Sequence, residues 1–124
     1  MPWELDSDRP IYAQIVDRLK HEIVSGFYPP GSRLPSVRDL AAQASVNPNT
    51  MQKAFTELER TGLIVTRRTS GRTVTEDTAL IEQVRSELAE LQISQFLTRM
   101  QHLGYQKDDS IRLLLAKKGG NLSN

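Results

Sequence analysis

Ser45-Val46-Asn47-Pro48-Asn49-Thr50-Met51-Gln52-Lys53-Ala54-Phe55, residues 45–55, reads SVNPNTMQKAF. Asn47 is a good N-cap and Pro48 suits the first helical position. A helix starting there turns Met51, Ala54, Phe55 and Leu58 inward and stops at Gly62. Asn47, Asn49, Thr50, Gln52 and Lys53 are then left outside, at or near the helix tip. The plain explanation is a well-capped helix start. What lies on either side argues for more.

Upstream, Leu34-Pro35 leads into Ser36-Val37-Arg38-Asp39-Leu40. Ser36 and Asp39 have capping-box spacing, with Asp where Glu is usual, so a short helix is predicted over 36–44. Ser45 occupies the turn, where Gly is commoner. Leu40, Ala41, Ala44, Val46, Met51 and Ala54 sit where two crossing helices would touch, and the small Ala41 and Ala54 allow close approach. Downstream, residues 63–68 are rich in β-branched side chains. Thr69-Ser70-Gly71-Arg72 is a turn, and Thr73-Val74-Thr75 a second short strand. Two short helices across a tight turn, then a hairpin, predict a winged helix-turn-helix. In that geometry the N-terminal end of the second helix enters the major groove. Asn and Gln can bond base edges in pairs, while Thr and Lys reach phosphates or bases.

Further out, Ile11, Ile15, Leu19 and Ile23 recur every four residues, with Val16 and Val24 beside them. A first helix is predicted over 10–25, ended by Gly26 and the turn at Tyr28-Pro29-Pro30-Gly31. Glu76-Asp77-Thr78 marks a junction. A long helix is expected over 78–103, stopped by Gly104, then a short one over 108–117 and a frayed tail at 119–124. The fold class expected is mainly α with a small β-hairpin: a winged helix-turn-helix over 1–76, then a two-helix dimerisation segment over 77–124.

Composition sets the limits. Of 124 residues, 38% are apolar and 25% charged, values typical of a soluble globular protein. No apolar run approaches the roughly 20 residues of a membrane span, and the acidic start lacks the apolar core of a signal peptide. Cysteine is absent, which excludes disulfides and thiolate chemistry and fits the cytoplasm. His21 and His102 lie far apart, so no metal centre or cofactor is expected. Ten Lys/Arg face eight Asp/Glu in residues 1–75, and six face seven in 76–124. That asymmetry is slight, so any basic surface must come from local clustering. No Ser/His/Asp set, P-loop or metal spacing appears. Glu57 and Glu59 are i,i+2 on a helix and share no face. The chain does not read as an enzyme.

The segment 10–74, PIYAQIVDRLKHEIVSGFYPPGSRLPSVRDLAAQASVNPNTMQKAFTELERTGLIVTRRTSGRTV, resembles the GntR family of bacterial transcription regulators. The resemblance rests on the ordered series I..G.Y.PG..LPS.R.LA and V...T...A...LE..G.I..R...G. The NPNT variant and the short C-terminal part look like the YtrA subfamily. About fifty residues follow, too few for the large effector or aminotransferase-like domains of other branches. The resemblance implies DNA contacts from Arg38, at the start of the second helix, and from Asn47, Asn49, Thr50 and Gln52. Lys53 would reach the backbone or stay solvated. Many relatives carry Arg where this chain has Pro48, so their base preference does not transfer. The tip at residues 69–72 matches the wing, which gives Arg67, Arg68, Ser70, Gly71 and Arg72 as candidate contacts against the plain alternative of a solvated charge run.

In the C-terminal part, Ile81, Val84, Leu88 and Leu91 follow 3-4 spacing. Phe96, Leu97, Met100 and Leu103 continue after a small phase shift, and Ile111, Leu113, Leu114 and Leu115 follow. This is too much apolar surface for one long and one short helix to hide, so a homodimer is expected. The competing arrangement folds the stripe back onto the chain's own winged helix. The partners expected are double-stranded DNA carrying an inverted repeat, a second copy of the chain, and a small-molecule effector of unknown identity, with no membrane. Repression is what the family resemblance implies. A winged-helix adaptor for protein contacts, without sequence-specific DNA binding, is the alternative.

Overall fold

The computed structural model describes residues 3–117. The expected fraying at 119–124 lies outside them. Helix α1 spans Ile11–Val24, α2 Val37–Ala44, α3 Pro48–Thr61, α4 Thr78–His102 and α5 Lys107–Ala116, with strands β1 Ile64–Arg67 and β2 Gly71–Val74 between α3 and α4. The chain divides into two compact units, the first running to Arg85 and the second from Ser86.

In the first unit α3 packs against α1, α2 and β1. Ile15, Leu19 and Ile23 of α1, Leu40 of α2, and Met51, Phe55 and Leu58 of α3 are fully enclosed with Leu63, Ile64 and Val74. Ala41, Ala44 and Ala54 are also buried, so small side chains do line the helix contacts. The α2–α3 turn shows why its sequence works. Ser45 takes the left-handed conformation at φ 59°; its N–H donates to the Ala42 carbonyl, and that of Val46 to the Ala41 carbonyl. This pattern ends α2 and turns the chain at once into α3.

Strands β1 and β2 pair antiparallel, Ile64 with Val74 and Arg67 with Gly71. A third partner, unforeseen from sequence, joins them. Residues 32–34 run along the free edge of β2: the Val74 N–H donates to the Ser32 carbonyl at 2.9 Å, the Leu34 N–H to the Arg72 carbonyl at 2.9 Å, and Arg33 bridges Thr73. A second unforeseen tie holds residues before α1. The buried Gln14 accepts from the Asp6 N–H at 2.7 Å and donates to the Asp6 and Arg9 carbonyls at 2.7 and 3.1 Å. It pins the segment before α1 to the helix, which has no side-chain cap at Pro10.

The first turns of α4 belong to this unit. Asp77 caps the helix by accepting from the Leu80 N–H at 3.1 Å. Arg85 donates from Nε and Nη2 to the Val24 carbonyl at 3.1 and 2.7 Å, placing a cation at the C-terminal end of α1, where the helix dipole favours it. Ile81 is 4% exposed within the same chain. It is therefore taken up by the chain's own core and is not free for a partner.

The second unit comprises the rest of α4, a turn at Gly104 with φ +101°, and α5. The Gln106 N–H donates to Asp109 Oδ2 at 2.9 Å, opening α5, and Ser110 is fully buried. Phe96, Leu97 and Met100 are half-buried, as are Val84 and Leu88 nearer the start of α4. Leu91, Ile93, Leu103, Tyr105, Ile111, Leu113, Leu114 and Leu115 are exposed, Leu103 at 73% and Leu115 at 80%. At about 100° per residue, the stripe through Leu88 and Leu91 and the stripe through Phe96 and Met100 differ by about a third of a turn. The shift is larger than expected from sequence, and α4 as a whole has almost no net apolar face.

Candidate nucleic-acid interface

The buried residues of α3 are Met51, Ala54, Phe55 and Leu58, at i, i+3, i+4 and i+7. The opposite stripe, at the same spacing, is Asn49, Gln52, Lys53 and Thr56, all exposed. Thr56 is not among the contacts expected from sequence, although the spacing alone identifies it. Its hydroxyl accepts from Gln52 Nε2 at 3.2 Å, which steadies the Gln52 side chain along the helix.

Asn47 serves two purposes. Its Oδ1 accepts from the Asn49 N–H at 2.7 Å, so the capping role is real. Its amide NH2 stays outside that bond and can donate to an oxygen acceptor. Asn49 is exposed, while Thr50 is half-buried and lines a shallow cleft with Trp3, Leu5, Ile11 and Val46. Lys53 Nζ sits 4.1 Å over the Tyr12 ring, which holds the cation at the surface beside the polar stripe.

Arg38 lies in the first turn of α2. It is exposed and has no ion-pair partner among the described residues. Ser36 caps that helix, its Oγ accepting from the Asp39 N–H at 3.0 Å. Arg38 therefore stands on a fixed element with its charge uncompensated.

The wing sorts its cations by strand alternation. On the face that carries Val74 into the core, Thr66 and Arg72 form a cross-strand pair, and both reach Glu59 of α3. The Arg72 Nε–Glu59 Oε2 distance is 3.3 Å, and the guanidinium lies 5.3 Å from the Phe55 ring centroid. With a side chain 26% exposed, Arg72, a candidate contact from the resemblance, also ties the wing to α3. Arg67 belongs to the other face with Gly71, and Arg68 is exposed beside it at the turn. Ser70 is half-buried, and Gly71 has φ +72°, a conformation that favours glycine.

Two titrating groups mark the surroundings. Burial raises the Tyr28 phenol above its ordinary value, the Glu22 carboxylate adds to this, and Arg18 opposes it. At the far end of α3, the hydrogen bond from Arg60 holds the Glu57 carboxyl below its ordinary value. That pair makes Arg60 unlike Arg38, Arg67 and Arg68, which have no ion-pair partner among the described residues.

Known proteins match this arrangement. The family model described as bacterial regulatory proteins, gntR family, matches residues 11–74, just over half the chain. The HTH-type transcriptional regulator YhcF of Bacillus subtilis is 35% identical over 108 residues, covering 87% of this chain and 89% of its own length. The HTH-type transcriptional repressor YtrA of the same organism is 39% identical over 102 residues, covering 81% of this chain and 78% of its own. A solved GntR family transcriptional regulator from Listeria monocytogenes superposes with a TM-score of 0.81 at 40% identity, over 92% of this chain and all of that one. An exposed polar stripe on α3, a wing braced to it and relatives that extend through α4 and α5 agree with one another: the chain belongs to the GntR family of bacterial regulatory proteins and is a DNA-binding transcription regulator of the YtrA-like kind.

Proposed function

We propose that this chain is a homodimeric repressor that occupies an inverted-repeat operator. The observation that carries the reading is the contrast between its two units. The first completes its own core yet leaves a polar, uncompensated face on α3 and α2. The second leaves Leu91, Ile93, Leu103, Ile111, Leu113, Leu114 and Leu115 exposed on two helices and the turn between them. Burying a leucine or isoleucine side chain contributes about 1.5–3 kcal/mol, so a second copy covering this surface is strongly favoured. An isologous pair presents two identical reading heads, and half-sites one helical turn apart, about 34–36 Å, fit such a pair.

Asn49, Gln52 and the free amide of Asn47 are assigned to base edges or nearby phosphates. Arg38, Lys53, Arg67 and Arg68 are assigned to the backbone, with Ser70 and Gly71 at the wing tip. Repression follows from occupying promoter DNA, and the repressor relative supports that sign of control. The chain acts in the cytoplasm, as a regulator and not as an enzyme. An effector would work by favouring one arrangement of the two reading heads over another, which requires unequal affinity for the two states.

Selecting bound duplexes from random DNA tests the reading. The selected sites should share an inverted repeat, and binding should exceed that to scrambled duplex and weaken as salt rises. Enrichment of a single unrepeated motif would overturn the dimeric part. Equal retention of every duplex would overturn sequence-specific control.

A further inference from the structure

The face of the wing turned away from Glu59 buries Thr73 but is open at its Gly71 end, where it carries two arginines, Arg33 and Arg67. Arg67 is the cross-strand partner of Gly71, so their side-chain positions share one face. Arg33 bridges Thr73, which lies two residues along β2 from Gly71 and thus on the same face. The Arg33 guanidinium extends along that face. Its Nε and Nη2 lie 3.8 Å from where a Cβ on Gly71 would stand. Arg33 is exposed, and neither Arg33 nor Arg67 is in an ion pair among the described residues. Asp39 and Arg72 line the same cleft as Arg33, but Arg72 is occupied by Glu59 and Asp39 makes no ion pair with Arg33.

We propose that Arg33 is a phosphate-binding residue of the wing, clamping the DNA backbone over Gly71 together with Arg67. Strand alternation removes Arg72 from the outer face, and the extra edge segment at residues 32–34 supplies the replacement cation. Gly71 leaves the space beside the Arg33 guanidinium open, because it has no side chain to hold a phosphate away. A planar guanidinium can meet phosphate oxygens through two parallel N–H donors, which suits a contact that fixes register without reading sequence. The inference rests on the DNA-binding role of the chain, and its test separates the two.

The test is fluorescence anisotropy of the full chain on a labelled mixed-sequence duplex across a salt series. Arg33→Ala, Arg33→Lys and the charge control Arg60→Ala are compared with the parent. Removing one phosphate neutralisation makes the slope of log affinity against log salt shallower by about 0.9. Arg33→Ala should show that change and weaken binding by the same factor on two unrelated duplexes. Arg33→Lys should regain most of the slope, which a merely structural role would not require, and Arg60→Ala should keep it. An Arg33→Ala slope equal to that of Arg60→Ala would overturn the proposal while leaving DNA binding intact. If Arg33→Ala fails to fold, a shallower slope for Arg33→Gln supports the clamp and an unchanged one overturns it. A parent chain that binds no duplex would remove the DNA-binding role and this proposal together.

Discussion

Helices α3 and α4 solve opposite problems. In α3 the apolar side chains occupy one face, every one of them is buried inside its own chain, and the polar face is left to work. In α4 the apolar side chains are split into two stripes about a third of a turn apart; Ile81 alone of them is buried, while Leu88, Phe96, Leu97 and Met100 are half-covered and Leu91 and Ile93 are exposed. Segregation around the axis, and not apolar content, thus decides whether a helix can be finished by its own fold. A helix whose apolar face rotates partway along needs two neighbours, and among the described residues after Arg85 the one other helix is α5.

The largest effect that separates the two helices is expected in the core. Phe55→Ala removes the largest enclosed side chain of α3 and should cost about 3–5 kcal/mol of stability, read by denaturant unfolding. The cost should be the same at low and high protein concentration, because that packing lies within one chain. Next in size, Leu114→Glu in α5 should reduce the particle to single copies in sedimentation while near-ultraviolet signals from the first unit persist. If Leu114→Glu instead unfolds the first unit, the two-helix segment is part of one cooperative core and the contrast between α3 and α4 fails.

On the polar stripe, Gln52→Ala should leave stability almost unchanged and cost about 1–3 kcal/mol on a selected duplex if Gln52 reads a base. A weakening shared equally by all sequences would demote it to a backbone contact. The smallest effect expected is at the turn. Ser45→Gly relieves a left-handed conformation at φ 59° and should stabilise by about 0.5–1 kcal/mol, seen as a small rise in Tm.

Much of the first unit is legible in the sequence because its signals are local. Asn47, Pro48 and Gly62 bound α3 where their chemistry says they should, and Ser36 starts α2. What escapes the sequence has a common cause, which is pairing between residues far apart along the chain. Residues 32–34 carry nothing that announces pairing with β2, and Gln14 nothing that announces Asp6. The tie from Arg72 to Glu59 is different, because the sequence does announce it. Counting back two residues from the core position Val74 already places it on the buried side of the wing, where Glu59 waits. Residues 81–103 are legible as helix, but whether an apolar position faces its own chain or a copy depends on what stands opposite, and no local pattern records that.

If the uncovered apolar surface after Arg85 joins two chains, it sets two reading heads on one duplex. Sedimentation equilibrium of the full chain at micromolar concentration, alone and with a selected inverted-repeat duplex, decides whether it does. A mass of two chains is expected without DNA, and two chains per duplex with it. A one-chain mass in both conditions, with binding to the duplex retained, would contradict the dimeric regulator.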